Sequence, residues 1–289
     1  MRVGFIGLGS QGAPMARRIV DAGYETTLWA RRPATLAPFA DTPAGRAASP
    51  ADLAEASDLV CVCVVDDADV EEILTGGHGI LAGLRRGGVV AVHSTVHPDT
   101  CRRLADRART HGAALIDAPV SGGGPAAAEG RLVVMAGGEP GTVAYCRPVF
   151  ETYADPVVHM GPLGTGQSAK LLNNVLFTAN LATAADTLAL GRDLAIDPVA
   201  LARVLTHGSA ASFALNRVAA AGGTLDRFAA HAGPLLRKDV RLATRVAEGA
   251  GANPDIVLPT AGAALALMNG QRPDPAESAP AGDGTVRQG

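Results

Sequence analysis

The sequence has almost no lysine. Of its 25 basic residues 23 are arginine, and only Lys170 and Lys238 remain. Positive surface charge is served nearly as well by either residue type. Proton transfer is not, because arginine keeps its proton and lysine can be tuned to release one. Both lysines are therefore candidates for chemistry. A basic excess is absent too. The formal net charge is −3 at pH 7, which argues against a nucleic-acid or anionic-membrane partner. The four cysteines, Cys61, Cys63, Cys101 and Cys146, lack metal-ligand spacing, so no metal is expected. Buried free thiols in a reducing, cytoplasmic setting fit them. No stretch reaches ~18 uninterrupted apolar residues, so no membrane span is expected. Met1 is followed almost at once by the strand-like Val3-Gly4-Phe5-Ile6, and no signal peptide is expected.

What is present describes a folded chain. With 289 residues, 47% hydrophobic and 18% charged, about two domains and a large core are expected. The first half alternates short apolar runs with helical patterns. Strands are predicted at Val3–Ile6, Thr26–Trp29, Leu59–Val65, Val89–Val92, Ala114–Ile116, Arg131–Ala136 and Val157–His159. Helices are predicted over 11–22, Pro50–Ala56 behind the N-cap Ser49, 68–74 and 98–110. This βαβ repetition implies a parallel sheet with helices on both faces. After Gly161-Pro162-Leu163-Gly164 the pattern is helical, with long helices over about Thr165–Leu190 and Pro234–Glu248. The fold class expected is α/β: a Rossmann-type doubly wound sheet over 1–160, then an all-α domain over 161–270. The residues 271–289, rich in Pro, Gly, Asp and Ser, are expected to be a disordered tail.

Gly7-Leu8-Gly9-Ser10-Gln11-Gly12 is G-x-G-x-x-G directly after the first strand and at the start of a helix. In that context it predicts a dinucleotide site. The first glycine allows the tight turn, the second lets pyrophosphate approach the backbone, and the third lets helix and strand pack closely. The helix N-terminus then faces the phosphates with open N–H groups. The end of the second strand selects the cofactor. An NAD site usually carries an acid there for the ribose hydroxyls. This chain carries Arg31 and Arg32, which suit a 2′-phosphate. NADP is therefore favoured, with NAD possible.

Four segments together resemble the β-hydroxyacid dehydrogenase family, which includes 3-hydroxyisobutyrate dehydrogenase and tartronate semialdehyde reductase. They are Gly7 to Ala16, Asp117-Ala118-Pro119-Val120-Ser121-Gly122-Gly123, Gly164 to Asn174, and Lys238-Asp239. The resemblance spans about residues 2–269. It implies that Ser121, Gly122 and Gly123 hold a substrate carboxylate, a role that a nest of backbone N–H groups can fill. It implies that Lys170 is the general acid/base and that Asn174 orients the substrate; their i, i+4 spacing places both on one helix face. A free lysine titrates near ~10.4, so burial or a positive neighbour must lower that value for base work. Lys238 is either that neighbour or a residue lining the nicotinamide. Thr95, in Ser94-Thr95-Val96-His97-Pro98, resembles the family turn near the nicotinamide ribose. Val64 and Val65 stand at the carboxyl end of the third predicted strand, at the ligand-binding edge.

The chain departs from the family pattern at Gln11, His93, Ala126 and His231. His231 stands where many members carry an aromatic residue facing the pocket. It is either a pocket group that favours a more polar substrate or a solvent-facing helix residue. The expected activity is NADP(H)-linked hydride transfer between a small β-hydroxy acid and its semialdehyde. The alternatives are an imine reductase, whose relatives commonly replace the lysine, and a non-catalytic dinucleotide-binding protein. A homodimer or homotetramer is expected, because the long helix has more apolar faces than one domain covers.

Overall fold

The computed structural model describes residues 1–271. The expected tail therefore lies outside the described residues from position 272 on. The chain divides into two compact units, Met1–Leu172 and a second that starts at Asn173.

The first unit is built on one sheet. Its strands are β1 (Val3–Ile6), β2 (Thr26–Trp29), β3 (Gly45–Arg46), β4 (Leu59–Val62), β5 (Val89–Val92), β6 (Ala114–Asp117), β7 (Val120–Ser121), β8 (Leu132–Gly137) and β9 (Ala154–Gly161). The helices between them are α1 (Gly12–Asp21), α2 (Pro50–Glu55), α3 (Asp67–Thr75), α4 (Ile80–Gly83), α5 (Pro98–Thr110), α6 (Gly123–Ala128) and α7 (Pro140–Phe150), with a 3₁₀ turn over Pro33–Phe39. The strand order is β3-β2-β1-β4-β5-β6-β8-β7, and β9 pairs with β8. From β3 to β6 every pairing is parallel. The central strands are apolar throughout because both faces are covered. Leu59 and Cys61 enter one core with Val3, Phe5, Val89 and Ala91, while Val60 and Val62 enter the other with Ile6, Val90 and Val92. This is the period-2 alternation of a sheet sandwiched between helix layers.

The sheet is not parallel throughout, which corrects the expectation for its far edge. β8 runs antiparallel to β6 and to β7, and β9 runs parallel to β8. The cause is connection length. Only residues 122–131 separate β7 from β8, and a parallel crossover needs a dozen or more. The short helix α6 therefore turns the chain back rather than over. Local capping follows ordinary rules. The Asp52 N–H donates to Ser49 Oγ at 3.1 Å, which starts α2 where the sequence places it. The third predicted strand ends at Val62, three residues early, and Val65 is exposed.

One long helix, α8 (Thr165–Asp193), begins in the first unit and continues into the second. The second unit then contains α9 (Pro198–His207), α10 (Phe213–Ala220), α11 (Asp226–His231), α12 (Gly233–Gly249) and α13 (Val257–Met268), with no strand among its described residues. No helix among the described residues is long and apolar enough to cross a membrane.

Candidate active site

The glycine-rich loop has the geometry its spacing predicts. Gly7 sits at φ +99°, and a Cβ there would lie 2.1 Å from the Cys63 carbonyl oxygen. A Cβ on Gly12 would lie 1.9 Å from the Gly7 carbonyl oxygen and 3.2 Å from the Phe5 ring. Gly9 is different: a Cβ there meets nothing within 4 Å. Gly7 and Gly12 are thus required by the protein's own packing, and Gly9 leaves open space over the backbone. That is the cradle a pyrophosphate needs. Leu8 is buried beneath it, Ser10 is exposed, and Gln11 caps α1 without a side-chain bond.

The Ser121–Gly123 segment lies against this loop. Gly122 and Gly123 have φ of +132° and +77°, and a Cβ on the next residue, Gly124, would come within 2.5 Å of the Ser10 carbonyl oxygen. Small residues here let the start of α6 pack directly on the loop. The proposed carboxylate nest and the proposed phosphate cradle are therefore neighbours.

The start of α8 is pinned by a buried carboxylate. Asp117, at the end of β6, accepts from the Gly164 N–H and the Gln167 N–H, both at 2.7 Å. Burial raises the Asp117 carboxyl above the usual range, and the two backbone N–H groups oppose that shift. Gly166 approaches β8 so closely that a Cβ would lie 2.2 Å from the Met135 carbonyl oxygen. Lys170 follows one turn later and is buried, with 9% exposure. The Thr95 turn is held by its flanks. The Val64 N–H donates to Ser94 Oγ at 2.8 Å, while Gln167 bonds the backbone of Ser94 and Val96.

Asn174 lies four residues after Lys170 on the same helix and is also buried. Its Nδ2 donates to Asp239 Oδ2 at 2.6 Å. The other Asp239 oxygen lies 3.0 Å from Lys238 Nζ. Asn174 and Lys238 are thus joined through one carboxylate, and the Lys238 charge is balanced by its neighbour. This weakens the idea that Lys238 supplies a net positive field. His231 ends α11, and its side chain lies outside the described ones.

Arg31 is engaged in two exposed ion pairs. Its Nη2 is 2.9 Å from Asp69 Oδ1 and 3.5 Å from Glu72 Oε2, both on α3. Arg32, immediately before the 3₁₀ turn, is exposed. The sequence does not reveal this pairing, because its partners lie about 40 residues away. Among the described residues no group of side chains has metal-binding geometry.

His93 had no assigned role. It is buried at 2% exposure. Its Nδ1–H donates to the Ala118 carbonyl at 2.6 Å, and the Tyr153 hydroxyl donates to its Nε2 at 3.2 Å. Ala118 can only accept, which fixes the tautomer. Burial lowers the His93 pKa from 6.5 to about 4. The unfolded chain therefore takes up a proton first. The stabilisation is complete above pH 6.5 and is lost as pH falls toward 4, an effect of about 3 kcal/mol. Asp117, with its raised pKa, acts in the opposite sense and offsets part of this. Urea midpoints at pH 7 and pH 4.5 are expected to differ more for the unaltered chain than for His93→Leu. Equal differences would show that another group titrates.

The largely parallel sheet, the glycine loop and the open space over Gly9 together define a dinucleotide-binding fold. Comparison with known proteins narrows the class. Residues 2–161 match the family described as the NAD binding domain of 6-phosphogluconate dehydrogenase. Residues 164–275 match the NAD-binding family of NADP-dependent 3-hydroxyisobutyrate dehydrogenase. An uncharacterized oxidoreductase of Mycobacterium tuberculosis is 39% identical over 206 residues, 71% of this chain and 70% of its own length. The mitochondrial 3-hydroxyisobutyrate dehydrogenase of Mus musculus is 36% identical over 207 residues, 72% of this chain and 62% of its own length. The solved structure of Mycobacterium tuberculosis 3-hydroxyisobutyrate dehydrogenase with L-serine superposes with a TM-score of 0.81 at 25% identity, covering 93% of this chain and 99% of that one. The chain belongs to the β-hydroxyacid dehydrogenase family. It is an NAD(P)-dependent oxidoreductase of the 3-hydroxyisobutyrate dehydrogenase-like kind. Its cofactor is a nicotinamide dinucleotide, and NADP is the one named in the description of the second family.

Proposed function

We propose that the protein is an NADP(H)-preferring reductase of small carboxylate-bearing semialdehydes, working reversibly on the matching β-hydroxy acids, with Lys170 as general acid/base. The observation that carries this reading is the burial of Lys170 one turn beyond the pinned start of α8. In a chain that uses arginine at almost every basic position, a buried lysine on such an anchored turn suits proton transfer. The glycine loop from Gly7 to Gly12, Val64, Val65, Thr95 and Lys238 would hold the dinucleotide, which donates or accepts hydride when bound.

The chain's own residues supply the rest. The N–H groups of Ser121, Gly122 and Gly123 bind the substrate carboxylate. In reduction the Lys170 ammonium gives its proton to the carbonyl oxygen; in oxidation its neutral amine takes the hydroxyl proton. Asn174 has one amide N–H committed to Asp239 and offers the other to the substrate. His231 remains the candidate for setting substrate polarity. Assembly as a homodimer or homotetramer is part of the proposal. It is supported by exposed apolar side chains of the long helix, Leu172, Leu176 and Leu190 among them.

For the NADP preference, Arg32 is the better-placed clamp. Arg31 has donors to spare beyond the one on Asp69, since a guanidinium carries five N–H groups. The test is a turnover panel of succinic semialdehyde, glyoxylate, tartronate semialdehyde and methylmalonate semialdehyde with NADPH and with NADH. At least one semialdehyde should turn over, faster with NADPH. Arg32→Ala should raise KM for NADPH about tenfold more than KM for NADH. Turnover only of a ketone with an amine, or cofactor binding without any turnover, would overturn the reading. Equal losses for both cofactors would remove the clamp.

A further inference from the structure

We propose that Gln167 is a positioning residue for the transfer step. Its buried carboxamide locks the turn that presents Thr95 to the turn of α8 that precedes Lys170. The inference rests on the reading of Thr95 and Lys170 as site residues given above.

Gln167 is fully buried, with 0% exposure. Its Oε1 accepts from the Val96 N–H at 3.1 Å, and its Nε2 donates to the Ser94 carbonyl at 2.8 Å. These two backbone groups flank Thr95 on either side. The amide has only one workable orientation, because a backbone N–H can only donate and a carbonyl can only accept. Ser94 in turn accepts from the Val64 N–H through its hydroxyl. The Val64 and Thr95 turns therefore move as one piece, and the Gln167 side chain fastens that piece to the helix. Lys170 lies three residues on, about 4.5 Å along the axis.

The helix itself does not depend on this side chain. Its first turn is held by the Asp117 carboxylate through the backbone N–H groups of Gly164 and Gln167. Removing the carboxamide thus frees the Ser94–Val96 turn and leaves α8 in place. A residue whose only task was to satisfy buried backbone groups would change stability alone. A residue that sets the distance between a cofactor-side contact and a proton donor changes the chemical step. Misplacement of reacting groups by about 1 Å can cost ~10²-fold in rate.

Two variants test this in the full chain. Gln167→Met keeps the length and removes the bonds to Ser94 and Val96. Its kcat is expected to fall about 10- to 100-fold, with the circular dichroism spectrum unchanged. The primary isotope effect with C4-deuterated NADPH should rise, because hydride transfer becomes rate-limiting. Gln167→Glu keeps the acceptor for Val96 and, when ionised, sets a second acceptor against the Ser94 carbonyl. Protonation restores the donor. The activity of Gln167→Glu relative to the unaltered chain is therefore expected to climb as pH falls.

Unaltered kcat and isotope effect in Gln167→Met, in a chain where Lys170→Ala is inactive, would overturn the inference even if the variant were less stable. If Gln167→Met does not fold, a flat activity ratio for Gln167→Glu across pH overturns it instead. Full activity of Lys170→Ala would overturn the reading beneath it, so the two failures are distinguishable.

Discussion

Replacing Lys170 by alanine is expected to lower kcat by about 10²- to 10⁴-fold while leaving dinucleotide affinity within about threefold. The size follows from the task. A positioned acid or base typically contributes that range, and no other lysine sits on the early turns of α8. Lys170→Arg is the sharper variant. It keeps the positive charge and much of the length, yet guanidinium does not give up its proton near neutrality. If the ammonium acted only as an electrostatic anchor for the substrate carboxylate, arginine would retain most of the activity. If it transfers the proton, both variants lose activity alike. Steady-state rates, together with a fluorescence titration of NADPH binding, separate these outcomes. Near-normal kcat in Lys170→Ala would end the assignment.

The second large effect concerns the glycine loop, where two substitutions of the same size should fail in different ways. Gly9→Ala adds a methyl group where the free protein has open space. Its melting temperature is expected to stay within about 1 °C of the unaltered chain, because surface changes away from special features cost little. Its dinucleotide Kd should nevertheless rise about tenfold or more, because that methyl occupies the approach of the pyrophosphate. Gly7→Ala adds the methyl 2.1 Å from the Cys63 carbonyl oxygen, on a residue at φ +99°. The backbone must move there, at a cost of about 3 kcal/mol or more. A lower melting temperature should accompany the loss of binding. Calorimetry with and without NADPH distinguishes the two. A Gly9→Ala protein that binds NADPH normally would remove the pyrophosphate from this loop.

Much of the first unit was legible in the sequence because its signals are local. The G-x-G-x-x-G spacing after an apolar run specifies a strand, a turn and a helix within a dozen residues, and the structure places them there. Ser49 before Pro50 marked a helix start for the same reason. What was not legible depends on partners distant in sequence. The ion pairs of Arg31 with Asp69 and Glu72 span about 40 residues of sequence. His93 bonds Ala118 and Tyr153, 25 and 60 residues away. Nothing near His93 in the sequence announces either partner. The reversal of β8 was also hidden, since an apolar run carries no direction of its own. Only the length of the preceding connection hinted at it. Gln167 and Asp117 lay inside recognised segments without a role, because neighbours in sequence do not reveal which backbone groups a side chain will meet.

The low exposure of both lysines, one buried and one partly buried, has a practical consequence for spectroscopy. Lys170 is 9% exposed, and the Lys238 side chain is 13% exposed. In most proteins, isotopic labelling of one amino acid type scatters reporters over the solvent-facing shell. Here, growth on lysine labelled at its ε nitrogen would place two signals in the whole molecule, one on the helix proposed to move the proton and one beside the carboxylate that holds Asn174. Amine-directed reagents would meet these two side chains, both with little exposure, and the exposed N-terminal amine of Met1. The scarcity that first drew attention to these residues makes the protein nearly silent to lysine chemistry at its surface, and leaves the proposed site as the place from which a lysine signal would come.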